Sequence, residues 1–209
     1  ATAAYSNTSG TNNVAIGKSA MYANTTGSRN TGIGSLALNK VTTAGDNTGV
    51  GFQALANTTT GVDNTAIGSM ALNDNKTGRY NVAVGKMALG NNETGQGNVA
   101  VGRNALSNIT TGRNNNTAIG YLAYDNASVY SNSTAIGYSS AISASNQVRI
   151  GNSSVTSIGG YASWTKVSDK RFKQSIQANV PGLDFINKLR PVTYNLDMDA
   201  IAAFNQTEE

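Results

Sequence analysis

Few side chains in this chain are equipped for chemistry. Among its 209 residues there is no Cys and no His. That removes thiol nucleophiles, disulfides, zinc knuckles, iron–sulfur sites, Ser-His-Asp triads and histidine-ligated metals, and no cofactor is expected. Glycan hydrolysis needs two carboxylates about 5–10 Å apart in a cleft. The carboxylates Asp46, Asp63, Asp74 and Glu93 instead arrive singly, at positions that drift between repeats. A catalytic site would interrupt the repeat at one place, and no interruption occurs before Gly120. The other candidates are contact residues. The segment YLAYDNASVYSNS, Tyr121 to Ser133, breaks the loop pattern and gathers Tyr121, Tyr124 and Tyr130. Tyr-rich loops are common in contact surfaces, and a capping or transition coil is the plainer reading.

The charge pattern narrows the partners. Lys and Arg number 15 and Asp and Glu 11, a net charge of +4. Before Lys166 the bases stand alone, as Lys18, Arg29, Lys86 and Arg103 do, without the stripe of bases and aromatics that nucleic acid requires. Charged residues make up 12%, about half the usual share, so the surface is polar but uncharged. No run approaches the ~18 apolar residues of a membrane span. The chain opens without a leader pattern and without Met, as expected of a processed chain or an internal fragment.

These sparse residues ride on a repeat. Aligned on one glycine, the segments read NVAIG at Gly17, NTGIG at Gly34, NTGVG at Gly51, NTAIG at Gly68, NVAVG at Gly85 and Gly102, NTAIG at Gly120 and STAIG at Gly137. QVRIG at Gly151 is a last, degenerate copy. The period is about 17 residues, with one longer step and a shorter final one. A unit this short cannot bury a core alone, but stacked units can. Around the glycine, β-branched residues flank a tiny one: Thr31-Gly32-Ile33, Thr65-Ala66-Ile67, Val99-Ala100-Val101. Alternation with period two and β-branching predicts a strand. The bulky face is expected to fill the coil interior, and the bare face to meet other chains. The second half of each unit, with Ala37-Leu38, Ala54-Leu55 and Ala71-Leu72, reads as a second strand closing on a TG corner at Gly27, Gly61 and Gly78. The Asn column Asn13, Asn30, Asn47, Asn64, Asn81, Asn98, Asn116 is expected to bond along the stack as a ladder. Nine coils at ~4.8 Å make a rod of about 40 Å. So thin a core favours bundling of several chains.

The units N-[TV]-[AG]-[IV]-G, followed by AL and NTTG, resemble the YadA-like head repeat of trimeric adhesins over roughly residues 5 to 151. The family repeat is nearer 14 residues, and the extra three fall in the NTTG loop. The resemblance implies a left-handed parallel β-roll and a homotrimeric head.

After Gly151 the pattern stops. NSSVTSIGGYASWTKV, residues 152 to 167, is strand-like around Gly159-Gly160, and Trp164 is the only Trp. Its plain role is a core anchor. Charge then rises in SDKRFKQSI, Ser168 to Ile176. Pro181, Leu183, Ile186, Leu189 and the stop at Pro191 predict a short amphipathic helix, and VTYNLD a strand. The pattern S-D-x-R-x-K at Ser168, Asp169, Arg171 and Lys173, followed by LRPVTYN at Leu189 to Asn195, resembles the start of the endosialidase-type intramolecular chaperone domain. That resemblance implies trimerisation and self-cleavage at Ser168 assisted by Lys173, with Asp169 and Arg171 in support. The chain ends at Glu209, before the long helical remainder of that domain. A serine hydroxyl activated by a lysine of lowered pKa needs no His.

The expected fold is all-β: a left-handed parallel β-roll or solenoid over 1–151, a β neck over 152–167, and a small α+β chaperone segment over 168–209. The expected function is a structural and adhesive homotrimeric fibre, of the tail-fibre, injection-machine or surface-adhesin kind. It would be extracellular and bind a host or target-cell receptor or glycan. No turnover enzyme is expected beyond one self-cleavage. Alternatives are a glycan-binding or glycan-degrading tail spike and, more remotely, an ice-binding solenoid, for which the flat T-x-T array is missing. Calcium-bound GGxGxD repeats are absent.

Overall fold

The structure, a computed structural model, describes residues 2–108, 111–124 and 130–160. Nine three-residue strands follow one another: β1 (Val14–Ile16), β2 (Thr31–Ile33), β3 (Thr48–Val50), β4 (Thr65–Ile67), β5 (Val82–Val84), β6 (Val99–Val101), β7 (Thr117–Ile119), β8 (Thr134–Ile136) and β9 (Val148–Ile150). They form one parallel sheet in sequence order. Each strand pairs with its repeat-mate, so Thr31 stands on Thr48 and Thr48 on Thr65. The ladder runs past the strand ends: Thr48 N–H donates to the Asn64 carbonyl at 2.8 Å, and Gly68 N–H to the Val50 carbonyl at 2.8 Å. The fold is therefore an all-β parallel solenoid, and no described residue lies in a helix.

The sheet's orientation reverses the expectation from its side chains. The tiny central residues point inward: Ala66, Ala83, Ala100, Ala118 and Ala135 are fully buried. The β-branched residues on either side point out of the coil, and Ile16, Ile67, Val101 and Ile119 are exposed. Space is the reason. The interior is filled from the opposite wall by a column of Met21, Leu38, Leu55, Leu72, Leu89, Leu106 and Tyr124, all fully buried. A Cβ placed at Gly49 would already stand 3.3 Å from Leu38 Cγ. One large side chain per coil fills the lumen, and the facing strand has room for Ala or Gly alone.

The second half of each unit is not a strand either. It is a run of turns in which the leucine takes a left-handed backbone, φ 54° at Leu55 and 48° at Leu72. Its donors alternate between local turns and neighbouring coils: Ala71 N–H bonds the Gly68 carbonyl at 3.3 Å, and Leu72 N–H the Ala88 carbonyl at 3.0 Å. Non-glycine residues rarely adopt such φ values, and regular stacking on both sides holds them there. At the corner glycine the demand is stricter. Gly85 has φ 130°, and a Cβ there would lie 2.6 Å from the Gly102 carbonyl oxygen. Coil spacing leaves no room for any side chain at that corner.

Two polar columns hold the corners without charge. In the first, each Asn backbone N–H donates to the side-chain oxygen of the Asn one coil earlier: Asn64 to Asn47 at 3.1 Å, Asn81 to Asn64 at 3.1 Å and Asn98 to Asn81 at 3.0 Å. Each amide also donates to a facing carbonyl, as Asn64 Nδ2 does to Gly78 at 2.9 Å. The expected ladder is present, and its members from Asn30 to Asn116 are buried. The second column runs Asn7, Asn24, Val41, Thr58, Asn75, Asn92. Its amides bond in pairs, Asn24 to Asn7 at 2.8 Å and Asn92 to Asn75 at 3.0 Å. Val41 interrupts it, and Asn24 Oδ1 and Thr58 Oγ1 on either side have no partner.

The solenoid belongs to one unit, Ala1–Ile158. Of the neck expected over 152–167, residues 152–160 form turns and irregular backbone with no strand. Residues 161–167 with Trp164, the Ser168, Asp169, Arg171 and Lys173 motif, and the helix and strand expected after Pro181 lie outside the described residues.

Candidate interaction surface

The reversed sheet gives the rod an apolar outer stripe. Two side chains per strand face outward, β-branched in every coil, and the parallel register aligns them into two continuous ladders. One ladder carries Ile16, Ile33, Val50, Ile67, Val84, Val101, Ile119 and Ile136. The other mixes Val with Thr, as in Thr31, Thr48, Val82 and Val99. At ~4.8 Å per coil and about 10 Å of width, the stripe covers about 400 Å². A contiguous apolar patch of that size is often a contact surface. The stripe is flat and stiff, because β-branched side chains on a regular ladder have few rotamers to lose on contact.

Three of the four carboxylates, Asp46, Asp74 and Glu93, hold coils together. Arg29 Nε and Nη2 donate to the two oxygens of Asp46, each at 2.6 Å. This hydrogen-bonded pair holds the Asp46 carboxyl below its ordinary value and raises Arg29. Lys76 pairs with Glu93 at 3.0 Å, and Asn57 Nδ2 donates to Asp74 at 2.9 Å. Each of these contacts joins residues one coil apart. Among the described residues no three metal-ligating side chains cluster. No described helix is long and apolar enough to cross a membrane.

Of the three tyrosines singled out in the irregular coil, one faces solvent. Tyr124 is fully buried at the end of the leucine column, and its hydroxyl donates to the Tyr130 carbonyl at 3.1 Å. It is a core residue, because the coil places it where earlier coils have Leu106 and Leu89. Tyr130 is half-buried and packs against the same core. Tyr121 is exposed, and its ring stacks on Tyr138 with centroids 5.6 Å apart and planes 20° from parallel. The Arg103 guanidinium lies 5.7 Å from the centre of the Tyr121 ring. Tyr138 had no place in the sequence reading, although the repeat contains its signal: it follows the corner glycine, as Arg103 and Tyr121 do.

No family model matches the chain, and no curated protein matches it. Among solved structures, the chain is similar to the collagen-binding domain of the Yersinia adhesin YadA. The identity is 21% and the TM-score 0.40, over 88% of this chain and 89% of that one.

Proposed function

We propose that the chain is a segment of a homotrimeric adhesive fibre, three solenoids lying side by side with their outer stripes turned towards one another. The outer stripe carries this reading. A rod with a continuous β-branched face and a lumen one side chain wide carries an aligned row of exposed apolar side chains on that face, Ile16, Ile67, Val101, Ile119 and Ile136 among them. Packing three copies about a common axis covers it and leaves the polar turns and loops outside. The aligned ladders also explain why the repeat conserves bulk at both outward positions from coil to coil while the loops vary.

The adhesive role, an extracellular location and a cell-surface receptor or glycan as target belong to the same proposal. They rest on the resemblance of the NTAIG and ALxNTTG units to adhesin head repeats. The Ser168–Lys173 stretch adds a chaperone that would register three nearly identical rods, then release itself by cutting before Asp169. Identical coils slip by one repeat at little local cost, so a terminal clamp removes an error the solenoid itself cannot reject. No turnover chemistry is assigned.

Light scattering on the purified chain tests the assembly. A mass of three chains is expected, falling to one chain when Ile67 and Val84 are both replaced by Asp. A monomeric parent chain contradicts the proposal.

A further inference from the structure

The column that follows the corner glycines changes character along the rod. In four successive coils it reads Lys86, Arg103, Tyr121, Tyr138. Arg103 lies against the Tyr121 ring and Tyr121 against the Tyr138 ring, a run of cation, aromatic, aromatic on the surface. Both rings are exposed. At Tyr138 the run meets a cavity of about 520 Å³ lined by Tyr138, Ser139, Ala141, Arg149, Asn152 and Ser153. That size falls within the ~300–1,000 Å³ of small-molecule sites.

Arg149 is the departure from the repeat. It is in register with Ala135, in the central position that eight preceding strands fill with Ala or Gly. A long cation has replaced the smallest side chains of the fold, and it is exposed rather than packed in the lumen. The ion pairs found among the described residues join Arg29 to Asp46 and Lys76 to Glu93, so neither Arg103 nor Arg149 is neutralised by a carboxylate there. Between Glu93 and Asp169 the sequence has one acid, Asp125. This end of the solenoid is therefore a place where an anion is drawn in.

The lining has one aromatic ring, one guanidinium and three short hydroxyl or amide groups. An aromatic ring takes the C–H face of a pyranose, Ser and Asn take its hydroxyls, and the guanidinium fork takes a carboxylate or sulfate in two parallel hydrogen bonds. We infer that this cavity is a subsite for an acidic saccharide, with Arg149 on the anionic group and Tyr138 on the ring face. The inference rests on the adhesive reading of the chain and gives that reading a target chemistry.

Calorimetric titration of the full chain tests it, with three probes: tetragalacturonate for carboxylate, a heparin-derived tetrasaccharide for sulfate, and neutral cellotetraose. At least one acidic probe is expected to bind tenfold or more tightly than the neutral one. Arg149→Ala, which restores the residue type of the other coils, should weaken that binding at least tenfold. Tyr138→Ala should weaken it about fivefold, and Tyr138→Phe less than twofold. The responding acidic probe identifies the anion. Failure of both acidic probes to bind, equal binding of cellotetraose, or undiminished binding by Arg149→Ala overturns the subsite. Light scattering on the same samples separates the two proposals. A trimer that ignores both acidic probes overturns the subsite and leaves the fibre. A monomer with Arg149-dependent binding does the reverse.

Discussion

At the scale of single residues the solenoid is a set of columns, and a column's faults are as informative as its regularities. Val41 interrupts the Asn24–Asn75 column, and Asn24 Oδ1 and Thr58 Oγ1 flank it without partners. An amide at position 41 could donate to Asn24 Oδ1 and accept from the Thr58 hydroxyl. Every Asn of this column, however, is followed three residues on by Gly, where a Cβ would collide with the Asn oxygen, whereas residue 44 is Ala. Val41→Asn alone is thus expected to destabilise the fold, Val41→Asn combined with Ala44→Gly to recover that loss, and Val41→Ala to destabilise it, in denaturant titrations. Asn64→Ala would break the intact first column. It strands the Asn81 N–H and takes one donor from the Gly78 carbonyl, at a cost of about 3 kcal/mol. The Arg29–Asp46 pair is a weaker device, being solvent-exposed. The arginine hydrogen bond holds the Asp46 carboxyl below its ordinary 3.8. Its contribution is therefore whole above that pH and is lost as pH falls through the lower folded value. Asp46→Asn should lower the thermal midpoint by about 2 °C or less at neutral pH. The gap to the parent should close in acid below pH 3.8.

At the scale of elements, each coil contributes one large side chain to the lumen, and its neighbours cannot collapse into the space it leaves. Leu72→Ala should therefore cost about 2–5 kcal/mol, read from the shift in denaturation midpoint. Coils should also be removable as units. Deleting residues 69–85 takes out one period and brings Gly68 to Lys86, the sequence that already follows Gly85. That chain is expected to keep its circular dichroism spectrum with a lowered midpoint, whereas deletion of 69–77 breaks every register downstream and should unfold it. The repeat made the strands, the glycine corners and the Asn ladder legible in the sequence. Their positions recur at one spacing, and their residue types match the backbone they adopt. The direction of the strand faces was not legible. Alternation shows that two faces differ, but the lumen's occupant is set by Leu38 and its repeat-mates on the opposite wall. Nor was the turn geometry around those leucines, because left-handed φ at Leu is imposed by stacking and has no local propensity to announce it. Tyr121 could be found as an exposed aromatic in an irregular loop. Its partner Tyr138 sits in a regular coil and needed the column alignment.

At the scale of the whole molecule, the reversed faces change what a single chain lacks. Had the bulky ladder faced inward, the rod would close its own core. With Ala and Gly inside and Ile and Val outside, the solenoid satisfies its backbone along the axis yet carries about 40 Å of flat apolar ladder on its surface. Such a ladder fits copies of itself, since each coil offers the same two side chains at the same spacing. It also fits them equally well one coil out of register, which is the reason to expect a registering module nearby in the chain. When the chain is expressed with its natural continuation, denaturing mass spectrometry should find polypeptides ending at Ser168. Ser168→Ala should abolish that cut and leave the assembly intact. The most direct test of the central claim is the solution mass by light scattering, for the parent chain and for Ile67→Asp combined with Val84→Asp. A trimer for the first and a folded monomer for the second is the predicted result. A parent chain that remains monomeric at high concentration, or a trimer indifferent to two carboxylates on the stripe, would contradict it.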